Sequence, residues 1–495
     1  MTYTLRSYQQ AAVDSAWSHL RTQAGNPIIV LPTGCHGQGH PILMADGNIR
    51  QVESIIPGEL VMGADGSPRE VLQLCRGLGN LYLISPIKGD PFVVNEDHIL
   101  YLEATREGKP FPSSRQGGEV TCISVKDYLN KSKSWRHLYK LRQADAISFA
   151  DYKSHHLLFD IGYEIPPYIV GLMLGDGHMR HSISLTSADQ ECANEFIAFA
   201  GSHGWGVTTI QKPDNQAKQY CIHSNSTGKV CPAKKMFARV GMLGKVGVEK
   251  HIPKMYGVSS RQTRLEVLAG LMDSDGHHDG RGGFIFSNKS ERLCRGVVFI
   301  ARSLGLRAII SIIRKRCQTC SKRIYWQVSI SGDTSIIPCR LARKKALPRQ
   351  QIKNVLRSGF KIEPYGIGNY FGFTLSGDHL YLDGNFLIHH NSGKSLVIAQ
   401  LCADAMQWGG KVLVVQHRKE LINQNAEKIR ALIPDVDIGI YSAGLNKRHT
   451  EHDIVCCGIQ SVFKRAYDFG QRNVVVIDEV HLVPHDGEGM YRHFL

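Results

Sequence analysis

The chain has 495 residues, 42% of them hydrophobic and 21% charged, with a formal net charge of +15. That length is more than one hydrophobic core carries, so several domains are expected, and the composition is that of an ordinary globular chain. No run of eighteen or more apolar residues marks a membrane-spanning helix. The 13 cysteines form no secreted disulfide framework and no basic-then-apolar leader opens the chain, so a cytoplasmic setting without membrane partners is expected.

In chain order, residues 5–20 put Leu5, Tyr8, Ala12, Ala16, Trp17 and Leu20 on one face and predict an amphipathic helix. The apolar run at 28–31, bounded by Asn26-Pro27 and Pro32-Thr33-Gly34, predicts a buried strand entering a turn. This pattern resumes only at Ser392-Gly393-Lys394-Ser395. A helix at 396–408 stops at Gly409-Gly410, then come a strand at 412–415, a helix at 420–432, and strands at 454–458 and 474–477. Strands alternating with helices predict a parallel, doubly wound sheet, and its first strand is sought far upstream, at 28–31.

Between these flanks, Val170 to Gly177 and Leu268 to Gly276 are related stretches, each ending in Asp-Gly. The segments after them are similar too: strands at 184–187 and 284–287, helices at 196–204 and 298–305, strands at 207–210 and 308–311. This is a two-fold internal repeat. All but one of the fifteen net positive charges fall in residues 35–391, which suits a polyanion such as DNA; a generically basic surface would carry the same charge. Cys317 and Cys320 could be half a zinc site, but no second pair completes a tetrahedral set, and a tight turn between two strands is the preferred reading.

Joining Gly34 to Ser392 produces Leu31-Pro32-Thr33-Gly34-Ser392-Gly393-Lys394-Ser395, which resembles the Walker A loop of superfamily 2 helicases. Asp478-Glu479-Val480-His481 resembles their DEAD/DEAH-type Walker B motif, and Leu5 to Gln9 resembles their adenine-contacting entry. The resemblance implies a RecA-like α/β domain split into 1–34 and 392–495. Thr33, Gly34 and Gly393 would line the phosphate cradle, with Lys394 on the β/γ-phosphates, Ser395 and Asp478 on Mg2+, Glu479 on the attacking water and Gln9 on adenine. ATP and nucleic acid are the expected ligands of the joined host. A second RecA-like domain with an arginine finger is missing, so the host is expected to be truncated.

Cys35 directly follows Gly34, and His390-Asn391 directly precedes Ser392. A Cys start with a His-Asn end before Ser resembles an intein, and removing 35–391 restores the phosphate loop. Cys35 can attack the Gly34 carbonyl, Ser392 can take over the acyl group, and Asn391 can cyclise with help from His390. Within the insert, Val94-Asn95-Glu96-Asp97-His98 resembles a second intein block and Phe371 to His379 the penultimate one. The resemblance implies an all-β Hint splicing domain from 35–158 and 346–391, with Asn95, His98 and His379 assisting and no metal needed. The family often has aspartate where Gly372 stands; Asp378 is a weak substitute. His36, His40 and His389 are read as satisfied core or surface histidines.

The second repeat stretch is nearly the LAGLIDADG motif of homing endonucleases. The resemblance implies an α+β nuclease at 159–345 with a pseudo-two-fold axis. Gly171 and Gly270 would let two helices pack closely, Asp176 and Asp275 would meet to hold Mg2+, and Lys250 would be a polarising base. Double-stranded DNA is its expected partner, and a monomer its expected state. Two alternatives stay open: a helicase with a stable, non-splicing DNA-binding insertion, and a nuclease whose splicing has decayed.

Overall fold

The computed structural model describes all residues except 1–4, 6, 30–33, 106–117, 150–164, 212–215, 224–230, 318–319, 349–352, 391–393, 418, 479, 481–482 and 484–488. Two long strands, Pro68–Pro86 and Phe360–Leu375, pair antiparallel from Phe360 opposite Pro86 to Leu375 opposite Val71. Short strand His36–Gly37 lies between Phe360–Leu375 and Phe92–Asn95 in the same sheet. A second sheet runs Arg357–Ser358, Tyr139–Arg142, Ile99–Ala104, Ile388–His390, Leu380–Leu382, with Val120–Ser124 on Ile99–Ala104. Two short helices, Val125–Leu129 and Lys133–Leu138, interrupt the strand pattern. Ser124 and Ser132 cap them by accepting from Asp127 N–H and Trp135 N–H. Helical turns at 125–138 therefore depart from the all-β expectation.

The repeated stretches form helices Pro167–Gly175 and Arg261–Ser274, which start with proline at the first turn and with a Ser260 cap, respectively. Each is followed by a four-stranded antiparallel sheet with the same internal order, and one apolar core spans both halves. The expected strands and helices appear in sequence: Ser184–Ser187, Gln190–Ser202 and Gly206–Gln211 in one half; Phe284–Asn288, Glu291–Ser303 and Arg307–Cys317 in the other. Cys317 stands opposite Cys320 in the antiparallel register of Arg307–Cys317 and Cys320–Ser331; the turn expected between them, 318–319, lies outside the described residues. Buried arginines join this unit to the loops beside the two β-sheets: Arg264 Nη2 donates to Ile147 O at 2.6 Å, and Arg302 Nη1 to Asn385 Oδ1 at 2.7 Å.

The flanks pack on each other. Helix Ser7–Thr22 buries Val13 and Ala16 against Val397 and Leu401 of helix Lys394–Gln407, and Trp17 Nε1 donates to Asp404 Oδ2 at 2.8 Å. Strands Ile438–Ser442, Ile454–Gly458, Val412–Gln416 and Val474–Ile477 lie parallel. Ile438–Ser442 was not recognised in the sequence. Of the strand expected at 28–31, only Ile28 and Ile29 are described; neither is in a strand, and Ile28 is exposed. The chain there leads to Gly34, which packs against His98 and Ile99. Among the described residues no helix is long and apolar enough to cross a membrane.

Candidate active sites

At the first junction Cys35 is fully buried. Its N–H donates to Asn95 Oδ1 at 2.9 Å, and its carbonyl accepts from Asn95 N–H at 3.1 Å. One residue thus grips both sides of Cys35. Gly34 lies flat on the next turn of chain: a Cβ there would sit 3.1 Å from both His98 Cα and Ile99 N. From the far end, strand Ile388–His390 pairs with Ile99–Ala104, setting His390 opposite Ile99. Both ends of the insert therefore converge on residues 98–99. Asn391 and Ser392 lie outside the described residues.

His98 is buried, with Nε2 3.1 Å from His389 Nδ1. Around this pair stand the histidines that looked ordinary in the sequence. His36 and His40 stack with ring centroids 3.8 Å apart, and His36 Nε2 is 2.6 Å from the Tyr381 hydroxyl. Asp383 Oδ1 accepts from the N–H groups of Asn385 and Leu387, while Oδ2 faces His389 Nε2 at 3.6 Å and His40 Nε2 at 3.8 Å. Burial, reinforced by the neighbouring imidazoles, holds His36 and His98 well below the usual histidine range; burial also drives His40 down to about 3, against the pull of Asp383. Burial pushes the Asp383 carboxyl up, but His389, His40 and the Leu387 N–H outweigh it and leave it ionised. No short motif signals this cluster, because its members come from four separate segments.

His379 is buried and adopts φ 65°, a left-handed conformation that histidine tolerates better than most residues; its ring centroid lies 6.3 Å from that of His390. Asp378 Oδ1 takes Arg69 Nε at 3.0 Å, and Arg69 also binds Asp65 at 2.9 Å. Gly372 has a steric reason: a Cβ there would lie 2.6 Å from Cys35 Sγ and 3.2 Å from Gly34 O. Any side chain at 372 would press on the thiol.

In the repeat, a Cβ on Gly171 would meet Val267 O at 2.1 Å, and one on Gly270 would meet Tyr168 O at 2.2 Å. The two helices touch backbone to backbone. Their ends carry Asp176 and Asp275. Asp176 is exposed at its helix end and Asp275 half-buried; partial desolvation, with Asp275 adding to it, pushes the Asp176 carboxyl up to about 6, a mutual repulsion that a cation would relieve. Asn288 Nδ2 donates to Asp275 Oδ2 at 2.9 Å. Lys250 Nζ donates to Met173 O, Gly175 O and Gly177 O at 3.3, 2.9 and 2.9 Å. Its three donors are thereby spent on the carbonyl end of a helix. Lys344 is its counterpart, giving hydrogen bonds to Met272 O, Asp273 O and Ser274 O at 2.9, 2.7 and 3.1 Å. Sequence reasoning missed Lys344. The signal was Lys-Lys-Ala-Leu-Pro at 344–348 beside Lys-His-Ile-Pro at 250–253, but direct alignment on the proline would select Lys345.

In the flanks, Gln9 is fully buried, and Asp478 ends strand Val474–Ile477 with Oδ2 3.4 Å from Asn425 Nδ2. Lys394 opens helix Lys394–Gln407, into which Ser395 continues. Thr33, Gly393 and Glu479 lie outside the described residues.

Comparison with known proteins places three domains along the chain. The family model for the homing-endonuclease-associated Hint domain matches residues 35–156, that for homing endonucleases matches 251–351, and that for the type III restriction enzyme res subunit matches 378–494. The catalytic subunit of the V-type proton ATPase of Candida tropicalis is 22% identical over 485 residues, 74% of this chain and 44% of that protein. The replicative DNA helicase DnaB of Mycobacterium intracellulare is 25% identical over 370 residues, 70% of this chain and 56% of that protein. The chain thus spans about half the length of these relatives. Among solved structures, mesophilic variants of the homing endonuclease I-DmoI match at 14% identity and TM-score 0.26, over 34% of this chain and 89% of that one. The gp41-1 intein matches at 15% identity and TM-score 0.13, over 18% and 80%. With the family matches set beside the two junctions, the chain is an intein with a Hint domain and a homing endonuclease, joined to a helicase-like domain.

Proposed function

We propose that the chain excises residues 35–391 and ligates Gly34 to Ser392. The supporting observation is the convergence of Gly34 and His390 on residues 98–99, with Cys35 gripped by Asn95. Cys35 Sγ attacks the Gly34 carbonyl, breaking the amide to leave a thioester and a free Cys35 amine. Asn95 Oδ1, accepting from the Cys35 N–H, holds that amide, and His98 supplies the proton to the departing nitrogen. Ser392 Oγ then attacks the thioester and releases the thiol. Asn391 Nδ2 cyclises onto its own carbonyl, freeing the Ser392 amine, with His390 and His379 moving protons in that step. The amine finally takes the acyl group from oxygen, leaving a Gly34–Ser392 peptide. On this reading 35–158 and 346–391 make the splicing domain, 159–345 the endonuclease, and 1–34 with 392–495 the host.

The endonuclease would cut double-stranded DNA as a monomer. Asp176 and Asp275 suit Mg2+, whose chemistry is to activate water and stabilise the leaving oxygen. Lys250 adds positive charge beside them. The host would bind ATP, Mg2+ and nucleic acid through Gln9, Thr33, Gly34, Gly393, Lys394, Ser395, Asp478 and Glu479 only once its phosphate loop is joined. Gel analysis of the expressed chain tests the splicing reading: a released 35–391 species and a ligated flank species are expected. A persistent full-length band, or products surviving Cys35→Ala with Asn391→Ala, would refute it.

A further inference from the structure

The turn that leads to the second junction is bent in a way its own residues do not favour. It spans residues 383–387 and joins strand Leu380–Leu382 to strand Ile388–His390. Phe386 stands in it at φ 63° and is fully buried. A left-handed backbone is unfavourable for a bulky aromatic residue and persists only where surrounding contacts impose it. Phe386 N–H donates to Asp383 O at 2.9 Å, Ala144 N–H donates to Phe386 O at 2.9 Å, and Asp383 Oδ1 accepts from the Asn385 and Leu387 N–H groups. Two further contacts come from helix Glu291–Ser303, inside the segment that matches homing endonucleases. The Phe299 ring meets the Phe386 ring edge-on, with centroids 5.2 Å apart. Arg302 Nη1, almost one turn along, donates to Asn385 Oδ1 at 2.7 Å. That helix end is itself anchored. Arg302 Nε donates to Ala308 O at 3.1 Å, and Arg264 ties Ser303 O to Ile147 O at 3.0 and 2.6 Å.

We propose that Phe299 and Arg302 of the endonuclease are positioning residues for splicing: they brace turn 383–387 and so fix the strand that carries His389 and His390 to the second junction. This rests on the reading that residues 35–391 splice out. The strand after the turn is three residues long, and its register decides which face each histidine takes. A slip of one residue would exchange them. In the braced register His389 Nδ1 lies 3.1 Å from His98 Nε2, and His390 stands opposite Ile99. So short a strand has little pairing of its own to hold a strained turn in place, and contacts from outside decide its position. The Asn95 grip on Cys35 lies in the other sheet and does not run through the turn. Loss of the brace therefore falls mainly on the cyclisation of Asn391.

Arg302→Met and Asn385→Ala remove the same hydrogen bond from opposite sides, and Phe299→Ala removes the ring contact. Arg295→Met is the control, since Arg295 is an exposed arginine of the same helix that pairs with Glu291. In the full chain carrying Cys35→Ala, cleavage before Ser392 measures the asparagine step. In the full chain carrying Asn391→Ala, cleavage after Gly34 by added thiol measures the thioester. Each of the three variants should slow the asparagine step about tenfold or more and the thioester step by less than about threefold. Arg302→Met with Asn385→Ala should be no slower than Arg302→Met alone, because one contact is broken in both. Arg295→Met should match its parent at both junctions. Equal slowing at the two junctions, no slowing at the second, or a like loss in Arg295→Met overturns the brace. Amide exchange over residues 383–390 should rise in Arg302→Met and in Asn385→Ala. Unchanged exchange overturns the brace whether or not the chain splices. A parent chain that cleaves at neither junction refutes the splicing reading instead.

Discussion

Replacing Gly270 by alanine tests the helix contact at the centre of the endonuclease. The new methyl would lie 2.2 Å from Tyr168 O and 2.7 Å from Leu172 N. Both are backbone atoms of a packed helix, so no side chain can swing away. The helices must part by about 1 Å to reach ordinary contact, and overpacking of this kind costs about 1–3 kcal/mol, sometimes more. For a unit of this size each kcal/mol lowers the melting temperature by roughly 2–4 °C, so a fall of roughly 2–12 °C is expected. The assay is thermal unfolding of the full chain made inert by Cys35→Ala and Asn391→Ala, with DNA cleavage in Mg2+ measured alongside. Cleavage should fall as well, because Asp176 and Asp275 move apart with their helices. Gly201→Ala is the internal control. It lies in helix Gln190–Ser202 with nothing within 4 Å of the added carbon, and should stabilise by about 0.5–1 kcal/mol. If Gly270→Ala melts with its parent, or Gly201→Ala is the worse of the two, the reasoning from backbone contact is wrong.

Gly372→Ala should displace the Cys35 thiol, which a Cβ would approach to 2.6 Å, and slow thioester formation about tenfold or more; cleavage at Gly34 by added thiol measures it, and a parental rate would count against the steric account. Lys344→Met should lower DNA cleavage and cost about 1–3 kcal/mol, because three carbonyls lose a charged donor, while splicing on a gel stays at the parental level. Acid should act late on the Arg69 bridge. Burial pushes the Asp65 carboxyl up, but hydrogen bonds from Ser67 and Arg69 and the Arg69 charge bring it down to about 2. Its folded value lies below its unfolded one, so its stabilisation is present above pH 3.8 and lost as pH falls through about 2. A carboxyl NMR titration with its midpoint near the ordinary aspartate value would contradict the bridge.

How much could be read without coordinates depends on where the information sits along the chain. The residues of each proposed splice junction are neighbours in sequence, so Gly34-Cys35 and His390-Asn391-Ser392 could be picked out as candidates directly. The two-fold repeat is equally local: similar segments recur after Asp176 and after Asp275, and the strands and helices expected there are present in order, although the helices Gln190–Ser202 and Glu291–Ser303 start about two turns earlier than expected. The glycine argument also held, because close helix approach requires a missing Cβ wherever it occurs.

What folding alone decided lies across long sequence separations. Strands Phe92–Asn95, Ile99–Ala104 and Ile388–His390 bring His98 to His389, and the bridge from Ile42 to Asp383 draws the Asp383 turn onto the segment carrying His40. His40 and His389 are unremarkable in their own segments; of the three, only His98 stands in a recognisable block. Only antiparallel pairing between residues some 300 positions apart turns them into a cluster. The same holds for Lys344, whose register differs by one residue from its counterpart. It holds too for Asp378, which an arginine from a distant strand claims as an ion-pair partner. Sequence determined which bonds can be made and broken, because that chemistry belongs to adjacent residues. Tertiary structure decided what surrounds them, because burial, unmet polar atoms and shared protons are properties of packing.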